Sequence, residues 1–239
     1  MSTITDTGGR TEPRGRGALA PTIAVLAVLV VGFMLFSRIW TDLLWFRSVD
    51  ASQVFTVRLM STIGLFAVFG LFMAIAVWIN MAVAYRMRPK ELRGQASSSS
   101  STLDRYREVM DGRTQLFFAV PALALGILAG TSAVVGIDQF LAWLNATAFG
   151  VSDPYFGLDA AFFVFDLPWW RFVVSQIIWT LIISLIVAAA VHFITGSLRS
   201  SPLRVTGQLD GQVPEIKVSN PFSAAAQAHM SVLMGLILL

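Results

Sequence analysis

The chain has 239 residues, 56% of them hydrophobic and only 13% charged, with a net charge of +3. Soluble domains carry roughly 25% charged residues, and a mean hydropathy of +0.71 implies more apolar surface than a soluble core of this size hides. Because Cys is absent, disulfides, thiolate metal sites and cysteine nucleophiles are excluded, and two His residues leave little for a His-based metal centre.

Residues 1–17 are rich in Ser, Thr, Gly and Arg, include Pro13 and show no apolar periodicity. They are expected to form a disordered cytoplasmic tail. Ala18–Phe36 is the first of four apolar runs without Asp, Glu, Lys or Arg; the others are Leu59–Ala84, Leu116–Val135 and Phe172–Ile194. About 20 apolar residues in a helix cross a hydrocarbon core. The expected fold is therefore all-α, a polytopic transmembrane helix bundle. Its full spans lie at about 18–36, 59–84, 116–135 and 172–194, with a partial fifth at 224–239. Outer loops fall at 37–58 and 136–171, and inner loops at 85–115 and 195–223. The first run is too long for a cleaved signal sequence and more spans follow, so it reads as a signal-anchor.

After the first run, Trp40, Leu43, Leu44, Trp45 and Phe46 crowd beside Asp42. They suit an interfacial extension of the first helix, ending in a turn near Asp50. Near the far end of the second run, Asn80 reads as an interfacial or interhelical hydrogen-bonding residue. The inner loop carries a Ser97–Ser101 linker, then a short surface helix over Leu103–Met110. In the third run Ala122, Gly126 and Gly130 recur every four residues. Small residues at this interval let another helix approach closely, either a span of the same chain or a second copy. Pro121 is expected to kink the helix.

The second outer loop holds Asp138, Asp153, Asp159 and Asp166. Ile137–Phe149 reads as an amphipathic helix, and Asp153-Pro154 as a helix start or turn. Ala160–Phe165 is too short to span and suits an interfacial or re-entrant segment. Pro168 opens the fourth span. The carboxylate spacing matches no calcium loop. His192 is expected to reach the interface at the inner end of the fourth span. The last apolar run, from Ala224 to Leu239, is marginal for crossing, so the chain is expected to be a piece of a longer one or to end in a half-span.

Thirteen of the seventeen basic residues lie before the first span, between spans two and three, or after span four. Lys and Arg favour cytoplasmic loops, so the N-terminus is predicted inside. The excess is a topology signal. The expected partner is the lipid bilayer, with anionic-lipid contact open to the basic inner loop; no nucleic acid, cofactor or metal is implied.

Three stretches resemble one family of large bacterial integral membrane proteins, the uncharacterised protein family 0182. The first is Asp42-Leu43-Leu44-Trp45-Phe46 with Val54-Phe55. The second runs from Asn80 through Ala84 and Arg86 to Arg88-Pro89. The third holds Phe149-Gly150, Asp153-Pro154, Phe156, Asp159, Phe162–Phe165 and Leu167-Pro168. His229 and Leu233 look like the start of the family's next helix. Phe163 and Asp50-Ala51 depart from its pattern. The resemblance implies a chain several times longer, with about seven spans and then a large outer domain. Phe149, Gly150, Asp153, Pro154, Asp159 and Pro168 are its candidate functional motif.

No intramembrane charge marks an ion path, and no H-E-x-x-H, G-x-S-x-G or Cys nucleophile is present. A non-enzymatic membrane scaffold or anchor is the first reading. A transport component for a lipid or other apolar solute is the second. Convergence of Asn80, Gln176, Ser184 and His192 on one cavity would favour transport, and scatter would favour anchoring.

Overall fold

A computed structural model describes residues 16–87, 112–195 and 223–239. Apart from turns and one isolated antiparallel bridge, the described residues are helical. In chain order the helices are α1 (Arg16–Ser48), α2 (Ser52–Arg86), α3 (Thr114–Val134), α4 (Ile137–Leu144), α5 (Leu167–Ile194) and α6 (Ala224–Leu238). A π-helical turn over Phe162–Asp166 leads directly into α5. Four helical stretches are long and apolar enough to cross a membrane: Leu19–Ser48, Ser52–Arg86, Thr114–Val134 and Phe162–Ile194. α6 is apolar but only 15 residues long. The expected tail up to residue 15, the Ser97–Ser101 linker, the Leu103–Met110 helix and residues 196–222 lie outside the described residues.

The chain forms two compact units, up to Leu59 and from Met60 onward. In the first, the aromatic stretch after the apolar run continues the same helix as far as Ser48. The turn that ends it places Asp50 at φ 56°, a left-handed conformation that Asp tolerates better than most residues. The Ala51 N–H donates to the Phe46 carbonyl at 2.8 Å, and the Phe46 and Phe55 rings lie 5.8 Å apart.

In the second unit, α2 turns Gly70, Met73, Val77, Met81 and Ala84 inward at intervals of three or four residues, the helical repeat of one face. Met73, Val77, Met81 and Ala84 pack with Phe118, Ala122 and Ala129 of α3, Ala188 and Val191 of α5, and Leu233 of α6. The α2–α3 approach is close enough that only hydrogen fits at two positions. A Cβ on Gly126 would stand 2.8 Å from the Gly70 carbonyl oxygen, and one on Gly130 would stand 2.7 Å from that of Phe66. α3 runs unbroken through Pro121.

The exposed faces are as apolar as the core. Leu71 and Ile75 of α2, Leu123 and Ile127 of α3, and Ile186 of α5 are all exposed. A helix that is hydrophobic all round does not suit a water-facing position.

The α3–α4 end closes with aromatic rings. Trp143 stacks on Trp169 at 5.5 Å, and Trp169 stacks on Phe172 at 5.6 Å. Trp169 is buried. Two expectations are corrected here. The amphipathic helix from Ile137 stops at Leu144, five residues early, where the Asn145 side chain donates to the Leu141 carbonyl at 2.8 Å. Ala160–Phe165 is not a separate segment but the start of the long helix. Pro168 explains the π-turn inside it. Proline lacks an N–H and crowds the carbonyl four residues back, so the ladder widens there, with the Leu167 N–H donating to Phe162, five residues earlier.

Candidate functional site

Two places gather polar groups. The first is the loop between α4 and α5, built around two carboxylates. Asp159 accepts from the N–H groups of Phe149 at 3.0 Å, Gly150 at 2.8 Å and Ala161 at 2.8 Å. It thereby ties the end of the α4 connection to the first turn of the next helix. The Ala161 and Phe149 N–H groups hold its carboxyl below the ordinary carboxylate value. A smaller opposing push comes from lost hydration, and the Gly150 N–H adds to the lowering.

Asp153 accepts from the N–H groups of Tyr155 at 3.0 Å and Phe156 at 2.8 Å, making Asp153-Pro154 a turn and not a helix start. The Asp153 N–H donates to Leu158, and that of Ala160 to Val151, both at 2.8 Å. Gly150 and Gly157 stand at φ 72° and 67°, where a side chain is strained. The motif residues Phe149, Gly150, Asp153, Pro154 and Asp159 therefore share one folded loop, and Pro168 lies beyond it, more than two turns into the helix that starts at Ala160. At the tip Tyr155 is 91% exposed and Phe156 73%. Both carboxylates are occupied by backbone N–H groups. No group of three or more His, Cys, Asp or Glu able to hold a metal ion is found among the described residues.

The second place lies inside the bundle. The His192 Nε2 and His229 Nδ1 atoms are 3.2 Å apart, and the His229 Nε2 and Asn80 Oδ1 atoms 3.1 Å apart. The Asn80 Nδ2 donates to the Ala76 carbonyl at 2.8 Å. One hydrogen-bonded chain thus joins α2, α6 and α5. His192, expected at the interface, is instead fully buried, because α6 lies against α5 and covers it. Asn80 is an interhelical hydrogen-bonding residue. Ser184 is also buried, and its hydroxyl has no partner among the described residues. From Gln176 to His192 the polar positions of α5 spread over about 24 Å of helix, so the four groups do not meet at one point. His229 was not singled out as a partner of His192. The pair is 37 residues apart, and a lone His in a marginal apolar run gives no signal of what it faces.

Over the described residues, these observations define a helical protein with four helical stretches long enough to cross a membrane, internally clamped by close helix contacts and a short polar chain. Residues 19–239 match the Uncharacterised protein family (UPF0182), and the chain belongs to that family. A UPF0182 protein of Streptomyces coelicolor is 42% identical over 95% of this chain, which covers 21% of that relative. UPF0182 proteins of Salinispora arenicola and Thermobifida fusca are 39% and 34% identical over 96% and 95% of the chain, again covering 21% of each. The chain thus spans about a fifth of the length of the curated relatives it matches. No solved structure matches it.

Proposed function

We propose that this chain is a non-enzymatic, membrane-embedded anchor, inserted with its N-terminus on the cytoplasmic side, which holds the remainder of a larger UPF0182 protein at the membrane. One observation carries the reading. The outward faces of α2, α3 and α5 are as apolar as the interior, while the interior polar groups Asn80, His229 and His192 bond one another. Lipid is the solvent that favours this inversion, since buried polar groups there must find partners within the protein. The spread of Gln176, Ser184 and His192 along α5 supports holding over conducting. The basic loop between spans two and three would then face anionic headgroups.

Two measurements test it. Membranes containing the chain should retain it through alkaline carbonate extraction; release into the supernatant would end the anchor reading. Vesicles holding the purified chain should move a fluorescent phospholipid between leaflets no faster than empty vesicles. Acceleration would favour transport of an apolar solute instead.

A further inference from the structure

The hydrogen-bonded chain through the bundle has a direction that its geometry fixes. The Asn80 Nδ2 donates to the Ala76 carbonyl, so the Asn80 Oδ1 is the atom facing His229, and an amide oxygen only accepts. The His229 Nε2, 3.1 Å from it, must carry a hydrogen. In a neutral imidazole the other nitrogen is then a lone pair, so the His229 Nδ1 accepts. The His192 Nε2, 3.2 Å away, must in turn donate. Reversing the chain would set the His229 Nε2 lone pair against the Asn80 oxygen, and flipping the amide would set two oxygens together at Ala76. Every position is thereby assigned down to the last atom, the His192 Nδ1. That nitrogen is a bare lone pair, buried, with no hydrogen-bond partner among the described residues. It is the one basic atom that the chain leaves unused.

We propose that the His192 Nδ1 is a proton-binding site, and that the Asn80–His229–His192 chain is a latch that a bound proton opens. Protonation makes His192 an imidazolium, with a donor at Nδ1 that has nothing to donate to among the described residues and a charge on a fully buried ring. Burying an unpaired charge in such surroundings is strongly unfavourable. The neighbouring elements offer little compensation. α3 carries no Asp, Glu, Lys, Arg, His or Tyr between Thr114 and Val134. The only titratable residue on α6 is His229 itself, which a second positive ring repels. The titratable residues on the same end of α2 are Tyr85, whose ring packs against Phe118 at 5.5 Å, and Arg86, exposed at the helix end.

The relief available is to part α6 from α5 so that the ring meets water or headgroups. The sign follows from linkage. The closed latch excludes the proton and the open one takes it, so closure is complete at high pH and is lost as pH falls through the imidazole range. One proton per opening gives an open-to-closed ratio that changes by up to about tenfold per pH unit. The proposal stands on packing geometry and does not depend on the anchor reading.

The chain's composition makes the test direct. It has two His and no Cys. Histidine labelled with 15N in the 239-residue chain, held in lipid nanodiscs, reports both rings, and the signals that vanish in His192→Gln assign the two. At pH 8 both should show hydrogen on Nε2 and a lone pair on Nδ1, and acidification to pH 5 should protonate His192. In parallel, spin labels on Ala190→Cys of α5 and Ala228→Cys of α6, both exposed positions, should give a narrow distance distribution at pH 8. At pH 5 it should be longer and broader. His192→Gln in the same labelled background should keep one distribution at both values.

Three results would overturn the proposal: a hydrogen on either Nδ1 at pH 8, a His192 that stays neutral at pH 5, or a distance unchanged while His192 protonates. The same opening in His192→Gln as in the parent would place the switch on another group and overturn it as well.

Discussion

Asp159 does more structural work than any other residue in the loop between α4 and α5, since one carboxylate accepts three backbone N–H groups from two ends of the segment. Acceptors in such a position favour the charged form. The carboxyl is held below its ordinary value of 3.8, so its contribution to loop order is fully present above that value and is lost as pH falls through the lower, folded one. Hydrogen exchange should therefore show the Phe149, Gly150 and Ala161 amides protected at pH 5 and faster in Asp159→Asn, whose amide oxygen is a weaker acceptor. Unchanged exchange at all three would show that the loop holds without the carboxylate.

The same residue marks a limit of sequence reading. Phe149-Gly150 and Asp159 stand out as parts of one motif, and Asp153-Pro154 announces a turn. That Asp159 reaches back ten residues to bond Phe149 depends on how the loop closes, which no local spacing encodes. His192 shows the limit more sharply. Its position near the end of an apolar run suggests an interfacial ring, but α6 covers it, and α6 is too short for hydropathy alone to place.

At the level of elements, the α2–α3 contact was half legible. Ala122, Gly126 and Gly130 recur every four residues because a narrow face must meet another helix. The sequence did not reveal which helix, because Gly70, Phe66 and Ala74 of α2 carry no comparable stripe. The contact makes a graded prediction. Gly130→Val forces a branched side chain towards the Phe66 carbonyl and ring, and overpacking of this kind costs about 1–3 kcal/mol. Gly235→Ala on α6 meets nothing within 4 Å and should stabilise by roughly 0.5–1 kcal/mol through helix propensity. Denaturant unfolding in detergent, followed by tryptophan fluorescence, compares the two. Equal effects would show that the close approach contributes nothing. A Gly130→Val that changed oligomeric state alone would assign the stripe to a second copy.

The four long helices are the most legible part of the molecule, because a run of apolar residues without charge needs no partner to be recognised. Their bounds were less legible. The extension of α1 to Ser48 was legible from its aromatic flank, but the fourth helix starts at Ala160, twelve residues ahead of its apolar run, across Asp166 and Pro168, which read as a break.

Orientation in the membrane rests on charge and not on the fold. Thirteen of seventeen basic residues belong to the tail and to the connections after spans two and four, and Lys and Arg near span ends are retained on the cytoplasmic side. The Asp159 loop, which carries no Lys or Arg, would then lie outside. Reporter enzymes fused near Ser98 should be active only as cytoplasmic forms, and those near Ser152 only as exported forms. Replacing Arg86, Arg88, Lys90 and Arg93 with Gln should weaken this preference and yield a mixed population, because the bias is summed over loops and not set by one residue. Swapped reporter activities in the parent chain would reject the orientation while leaving the helix packing intact, since the contacts among α2, α3, α5 and α6 are the same whichever way the bundle faces.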